Sequence, residues 1–274
     1  MDKKIVYLLK NPGIRGVTPK GFQSVVISAD ENGHYSDESF NEIIEADIII
    51  VGLEPVTRSI IERSKHLKLI QRLGAGYDNI DLEAASEFGI PVCNMQDFNS
   101  GTVAEHTVML ILSLLKKVFD STLILKAGRW SPATIANKGI YDLQGRTVGI
   151  LGFGLIGSEV AKRIRAFGVD IIYHDKIRIP EETEIDLGVT YCSLEIILSK
   201  SDILTIHLPL TEETRLMLGA GELSILKSGA FLINTARGAI VDEYALSEML
   251  KNGKIAGAGI DVFSKEPIDP GHPY

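Results

Sequence analysis

Residues 147–175, TVGILGFGLIGSEVAKRIRAFGVDIIYHD, put Gly152, Gly154 and Gly157 in a G-x-G-x-x-G spacing. The glycines directly follow one β-branched run and open a helical stretch that leads to a second strand-like run. Three glycines alone mark any tight turn, but this strand–turn–helix setting is specific. The first glycine permits the turn, the second lets backbone approach a diphosphate, and the third lets helix and sheet pack closely. The helix N-terminus then presents N–H groups and a positive dipole end to phosphate oxygens. Asp175, 18 residues past Gly157, stands where a carboxylate accepts ribose hydroxyls and repels a 2′-phosphate. NAD is therefore the expected cofactor, with NADP the alternative because Lys176 adjoins the acid.

Ligands of doubly wound sheets bind at the carboxyl ends of strands, so polar residues there carry weight. His207-Leu208-Pro209, Asn234-Thr235-Ala236-Arg237-Gly238 and Asp261-Val262-Phe263, with Glu266-Pro267 beyond, all end strand-like runs. A guanidinium such as Arg237 after a buried strand is costly unless it faces an anion, and its planar fork suits a carboxylate; a structural ion pair is the alternative. Glu266 reads equally as a solvated acid, and His207 as a general base or a packing residue. In Arg72-Leu73-Gly74-Ala75-Gly76-Tyr77-Asp78-Asn79-Ile80-Asp81, paired glycines either cradle a small anion with backbone N–H groups or simply turn.

The elements around these residues alternate short strands with amphipathic helices, the pattern of an α/β protein with doubly wound parallel sheets. A first sheet is expected from Ile5–Leu9, Val25–Ser28, Asp47–Val51, Leu69–Arg72 and Pro91–Asn94, with helices at Ser39–Glu45, Ser59–Ser64 and Leu82–Phe88. A second is expected from Thr147–Leu151, Asp170–His174, Val189–Cys192, Ile203–His207, Phe231–Asn234 and Ile255–Ile260. Gly101–Lys126 reads as one long linking helix opening after Asn99-Ser100, and Ala127–Gly145 as a connecting loop. The division is residues 1–100 and 101–274, with 101–126 as the link, and 274 residues suit two cores better than one.

A formal charge of −8 without any Lys/Arg cluster excludes a nucleic-acid surface. The longest apolar stretch, Val108–Leu115, is too short to span a bilayer, and the apolar run Ile5–Leu9 is too short for a signal peptide. Cys93 and Cys192 sit in apolar stretches and are expected to be buried thiols of a cytoplasmic protein. No cluster suggests a metal.

Six segments in order, RLGAGYDNIDLEAA, VAEHT at Val103–Thr107, GRTVGILGFGLIG, HLPLT, NTARGAIVDE and GAGIDVFSKEP, resemble the D-isomer-specific 2-hydroxyacid dehydrogenase family over most of the chain. The resemblance implies a flavodoxin-like substrate domain and a Rossmann NAD-binding domain flanking an active-site cleft, a homodimer, and a small 2-oxo or 2-hydroxy acid as substrate. It implies that Arg237 binds substrate and that Glu266 is a catalytic acid that raises the pKa of a histidine. Gly74, Ala75 and Gly76 match the backbone that binds the substrate carboxylate. Leu155, Ile156, Asp175, Leu208, Thr235, Ala236 and Asp261 match cofactor contacts, beside Gly152, Gly154 and Gly157 of the glycine turn and His207 and Pro209 of the strand ends. Leu155 departs from the arginine often found there.

In the family the proton-donating histidine follows one more strand after the glutamate, and a return helix comes after it. His272, six residues past Glu266, matches a variable loop instead. The 274 residues are thus expected to bind NAD better than they turn over substrate. A non-catalytic NAD-sensing or corepressor-like scaffold is the alternative.

Overall fold

A computed structural model describes residues 3–10, 13, 18–130, 132–137 and 139–274. The chain divides into two compact units, Met1–Asn99 and Ser100–Tyr274.

The first unit holds β1 (Lys3–Leu8), β2 (Phe22–Ile27), α1 (Asp37–Ile44), β3 (Ile48–Val51), α2 (Arg58–Arg63), β4 (Leu69–Arg72), α3 (Leu82–Glu87) and β5 (Val92–Cys93). Its strands pair in parallel in the order β2-β1-β3-β4-β5, the flavodoxin-like arrangement. Strand alternation sends Val6, Leu8, Ile49, Val51 and Ile70 into a core with Ile43, Ile60, Ile61 and Ala84 of the helices, while Ile5 and Tyr7 pack on the opposite face. Each fully buried Ile or Leu contributes roughly 1.5–3 kcal/mol. Ser36 caps α1 by accepting the Ser39 N–H, and Asp81 caps α3 by accepting that of Ala84.

The second unit runs α4 (Ser100–Leu115), α5 (Val118–Lys126), α6 (Pro132–Ala136), β6 (Thr147–Leu151), α7 (Leu155–Ile164), β7 (Asp170–His174), α8 (Glu181–Leu187) and β8 (Val189–Tyr191). It continues with α9 (Leu194–Lys200), β9 (Ile203–Ile206), α10 (Ala220–Ile225), β10 (Ala230–Asn234), α11 (Glu243–Lys251) and β11 (Ile255–Ile260). The parallel order β11-β10-β9-β6-β7-β8 is that of a Rossmann sheet. Every residue of β9 and β10 is buried, because helices cover both faces of the sheet centre.

Three expectations are corrected. The linking helix is two helices, broken at Lys116-Lys117, where Lys117 adopts a left-handed φ of 53°. The chain beyond docks into that break: Tyr141 donates its N–H to Leu115 O, and Lys116 pairs with Asp142 at 2.5 Å. Periodicity missed it because α5, VFDSTLILK, is as apolar as α4 and reads as a continuation. The connecting stretch contains a short helix, α6; its Ser131 and Lys138 lie outside the described residues. Cys93 is exposed rather than buried, because β5 is a two-residue edge strand with no neighbour beyond it. Cys192 is half-buried, and burial raises its thiol pKa.

Candidate active site

Leu151 and Ile206, the last residues of β6 and β9, are register partners, and β6 pairs with β7 on its other side. The strand order reverses here, so the crevice beyond these ends is where this topology binds ligands. Gly152 donates its N–H to His174 O at 2.9 Å and His207 donates to Leu151 O at 2.7 Å, pinning the turn from both sides. At Gly152, with φ 94°, a Cβ would lie 2.6 Å from the His207 carbonyl carbon, and one on Gly157 would lie 2.3 Å from Gly152 O. Gly154 differs: a Cβ there would meet nothing within 4 Å. Two glycines are thus required by packing, while the third opens onto free space at the head of α7. Gly154 is also the N-cap and has no side chain to satisfy the first-turn N–H groups. Leu155, exposed, and Ile156, half-buried, follow on the first turn.

Asp175 stands directly after β7 and reaches across to this turn. Its Oδ2 accepts the Phe153 N–H at 2.6 Å, and its Oδ1 accepts the Ile177 N–H at 3.3 Å. Each carboxylate oxygen keeps a second lone pair for a ligand hydroxyl. Open space over a helix N-terminus with an acid one strand away fits a diphosphate-bridged dinucleotide whose ribose is unphosphorylated.

Around the same crevice, His207 has its Nε2 2.9 Å from Thr205 Oγ1, and its buried Nδ1 lacks a hydrogen-bond partner. Burial drives its pKa far below the usual imidazole value, so the ring is neutral near neutrality and makes a poor proton acceptor. Leu208 is half-buried and Pro209 exposed, on the turn that His207 opens. Thr235 follows β10, and its hydroxyl meets Thr107 Oγ1 of α4 at 3.0 Å. Asn234 holds the next turn, accepting the Ala236 N–H at 3.0 Å and donating to Arg237 O at 2.9 Å. Arg237, half-buried, donates from Nη1 to Ala236 O at 2.7 Å. Asp261, after β11, lies 3.2 Å from His106 Nε2. The VAEHT segment was noted only for its resemblance; the structure makes it the brace beneath Thr235 and Asp261.

Glu266 is exposed and accepts the Phe263 N–H at 3.0 Å. His272 lies against Glu243 of α11 at 3.1 Å, ringed by Phe263 and Tyr274. Glu243 also accepts the Ser264 N–H at 2.8 Å, so it anchors the loop that carries Glu266. Glu243 closes the NTARGAIVDE segment, but nothing in its type or spacing gave it a role of its own; its place in the first turn of α11 was the available signal.

In the first unit, Gly74, with φ 144°, follows β4. Gly74 O accepts from the Met95 N–H and Ala75 O from Asn94 Nδ2, which fixes the peptides of Gly74-Ala75-Gly76. Arg72 is buried behind them, with Nη1 donating to Leu73 O and lying 3.1 Å from where a Gly74 Cβ would be. A glycine turn over a buried guanidinium suits an anion. Arg72 was not singled out by its type, since its strand position reads as an ordinary strand end.

Residues 108–274 match the family model described as D-isomer specific 2-hydroxyacid dehydrogenase, NAD binding domain. The chain is 38% identical over 268 residues to hydroxypyruvate reductase of Thermotoga maritima, covering 97% of this chain and 81% of that protein. It is 41% identical over 237 residues to D-3-phosphoglycerate dehydrogenase of Methanocaldococcus jannaschii, covering 86% of this chain but 44% of that relative. Among solved structures, D-lactate dehydrogenase from Aquifex aeolicus complexed with NAD and lactic acid superposes with a TM-score of 0.84 at 30% identity, covering 96% of this chain and 78% of that one.

Proposed function

The chain belongs to the D-isomer-specific 2-hydroxyacid dehydrogenase family, and from that membership we propose that it interconverts a small 2-oxo acid and its D-2-hydroxy acid with NAD(H) as cofactor. The observation that carries the reading is the free space at Gly154 over the head of α7, with Asp175 one strand away.

When bound, the cofactor supplies the hydride in 2-oxo acid + NADH + H⁺ ⇌ D-2-hydroxy acid + NAD⁺. The chain's residues position and exclude. Backbone at Gly152–Gly157 and the first turn of α7, including Leu155 and Ile156, take the diphosphate; Asp175 accepts the ribose hydroxyls. His207, Leu208, Pro209, Thr235, Ala236 and Asp261 line the rest of the cofactor's path. Arg237 holds the substrate carboxylate and orients its oxo group, and Gly74-Ala75-Gly76 offer N–H groups to the same kind of anion. Glu266 would serve as the acid that pairs with the family's proton-transferring histidine; the one histidine nearby in sequence, His272, pairs with Glu243 instead.

We also propose a homodimer. In support, α5 buries none of its residues and exposes Val118, Phe119, Leu123 and Leu125, and Trp130 just beyond is 79% exposed. Five large apolar side chains exposed within 13 residues are the kind of surface that an interface covers. A cytoplasmic location suits the two free cysteines, and no helix among the described residues is long and apolar enough to cross a membrane.

The test is a fluorescence titration with NADH followed by a turnover assay with a panel of 2-oxo acids. We expect NADH binding with a Kd below about 1 mM, the upper end of ordinary KM values. Failure to bind NADH at that concentration overturns the reading.

A further inference from the structure

The stretch after Asp175 carries two cations, Lys176 and Arg178, in the place where this fold accommodates a ribose 2′-phosphate when it takes NADP. Both are held by acids from neighbouring elements. Arg178 makes a bidentate pair with Glu184 of α8, Nε to Oε1 and Nη2 to Oε2, each at 2.8 Å. The Glu184 carboxylate is buried and receives a third bond, from the Tyr173 hydroxyl at 2.7 Å; that hydroxyl in turn accepts the Ile179 N–H at 3.1 Å. Lys176 pairs with Glu213, an exposed residue of the segment after β9. The Arg178 guanidinium also rests over the Tyr191 ring at 5.6 Å, and the Tyr191 hydroxyl donates to the main-chain O of Asp175 at 3.4 Å, so one ring touches both this cation and the backbone of the residue that carries the ribose-site acid.

We propose that Glu184, assisted by Glu213, is a specificity-determining residue that enforces NAD over NADP by engaging the two cations that could otherwise neutralise a 2′-phosphate beside Asp175. The inference deepens the proposed dinucleotide site and rests on it. Repulsion by Asp175 is one half of the device. The other half is that a guanidinium already paired bidentately must give up two charge-assisted bonds to reach a phosphate. Arg178 and Tyr173 together hold the Glu184 carboxyl down to about 2, so it is ionised, and keeps its partner, throughout the physiological range.

The test measures Kd for NADH and NADPH by fluorescence in the full chain and in Glu184→Gln, Arg178→Gln, the double variant and Glu213→Gln. Glutamine keeps an acceptor for Arg178 and a partner for Tyr173 but removes the charge. We expect Glu184→Gln to tighten NADPH about tenfold, the scale of one charge-assisted bond, with NADH changed less than about threefold. Arg178→Gln alone should leave the NADPH Kd near its starting value, and adding it to Glu184→Gln should abolish the gain. Glu213→Gln, on an exposed segment where folding is not at stake, should tighten NADPH by about threefold, the smaller effect of a solvated pair. An unchanged NADPH Kd in both glutamate variants with NADH binding intact overturns the inference, as does a gain that survives in the double variant. Loss of NADH binding in the unmodified chain overturns the dinucleotide site itself.

Discussion

The Phe153 N–H donates to Oδ2 of Asp175 at 2.6 Å, tying the acid that follows β7 to the middle of the glycine turn that follows β6. Residues 22 apart in sequence are therefore one rigid piece, and the group that would meet the ribose also shapes the turn that would meet the diphosphate. Asp175→Asn keeps a carbonyl acceptor for Phe153 and loses only charge. Asp175→Ala leaves that amide without its acceptor, at a cost of about 1–2 kcal/mol. Thermal melting should separate them, with alanine below asparagine, while NADH titration should show both weakened about tenfold. Equal melting temperatures would mean that the bond carries no structural load.

Gly154 and Gly157 should fail in opposite ways when changed to alanine. At Gly154 a methyl group enters empty space, so the melting temperature should shift little while the NADH Kd rises at least about tenfold, because that space is where the diphosphate would lie. At Gly157 the methyl would lie 2.3 Å from Gly152 O, so the fold itself should lose about 1–3 kcal/mol. Denaturant unfolding beside NADH titration checks both.

His207 should make the protein acid-sensitive. Its folded pKa is depressed to about 3 against 6.5 unfolded, so between those values the unfolded chain binds the extra proton. The contribution is fully present above pH 6.5 and is lost as pH falls towards 3. His207→Gln should flatten the pH dependence of the melting temperature between pH 7 and 5, measured against the unmodified chain; parallel curves would count against a buried neutral ring.

Arg237→Lys tests the substrate contact separately from the cofactor. Lysine keeps the charge but not the planar fork, so the KM for a 2-oxo acid should rise about tenfold or more while the NADH Kd stays within about twofold. A change in NADH affinity of similar size would place the residue on the cofactor instead.

Much of this protein is legible along the chain. Strands Thr147–Leu151, Asp170–His174 and Ile255–Ile260 coincide with the observed β6, β7 and β11, because each is a short β-branched or glycine-punctuated run bounded by turn residues and needs no distant information. The glycine spacing and Asp175 are likewise local, since both belong to one strand–turn–helix–strand unit.

What the chain could not disclose are relationships between segments far apart in sequence. The break at Lys117 depends on residues 141 and 142 docking onto the end of α4, and the exposure of Cys93 depends on β5 having no strand beyond it. The His106–Asp261 and Thr107–Thr235 contacts join positions 155 and 128 residues apart, through the packing of α4 beside β10 and β11. The state of His207, and the engagement of Arg178 by Glu184, likewise follow from burial and from which side chains face each other. The sequence by itself determined the residue types available for binding, while the tertiary structure decided which are desolvated, paired or open, because local pattern fixes backbone conformation but electrostatics and close packing act through space.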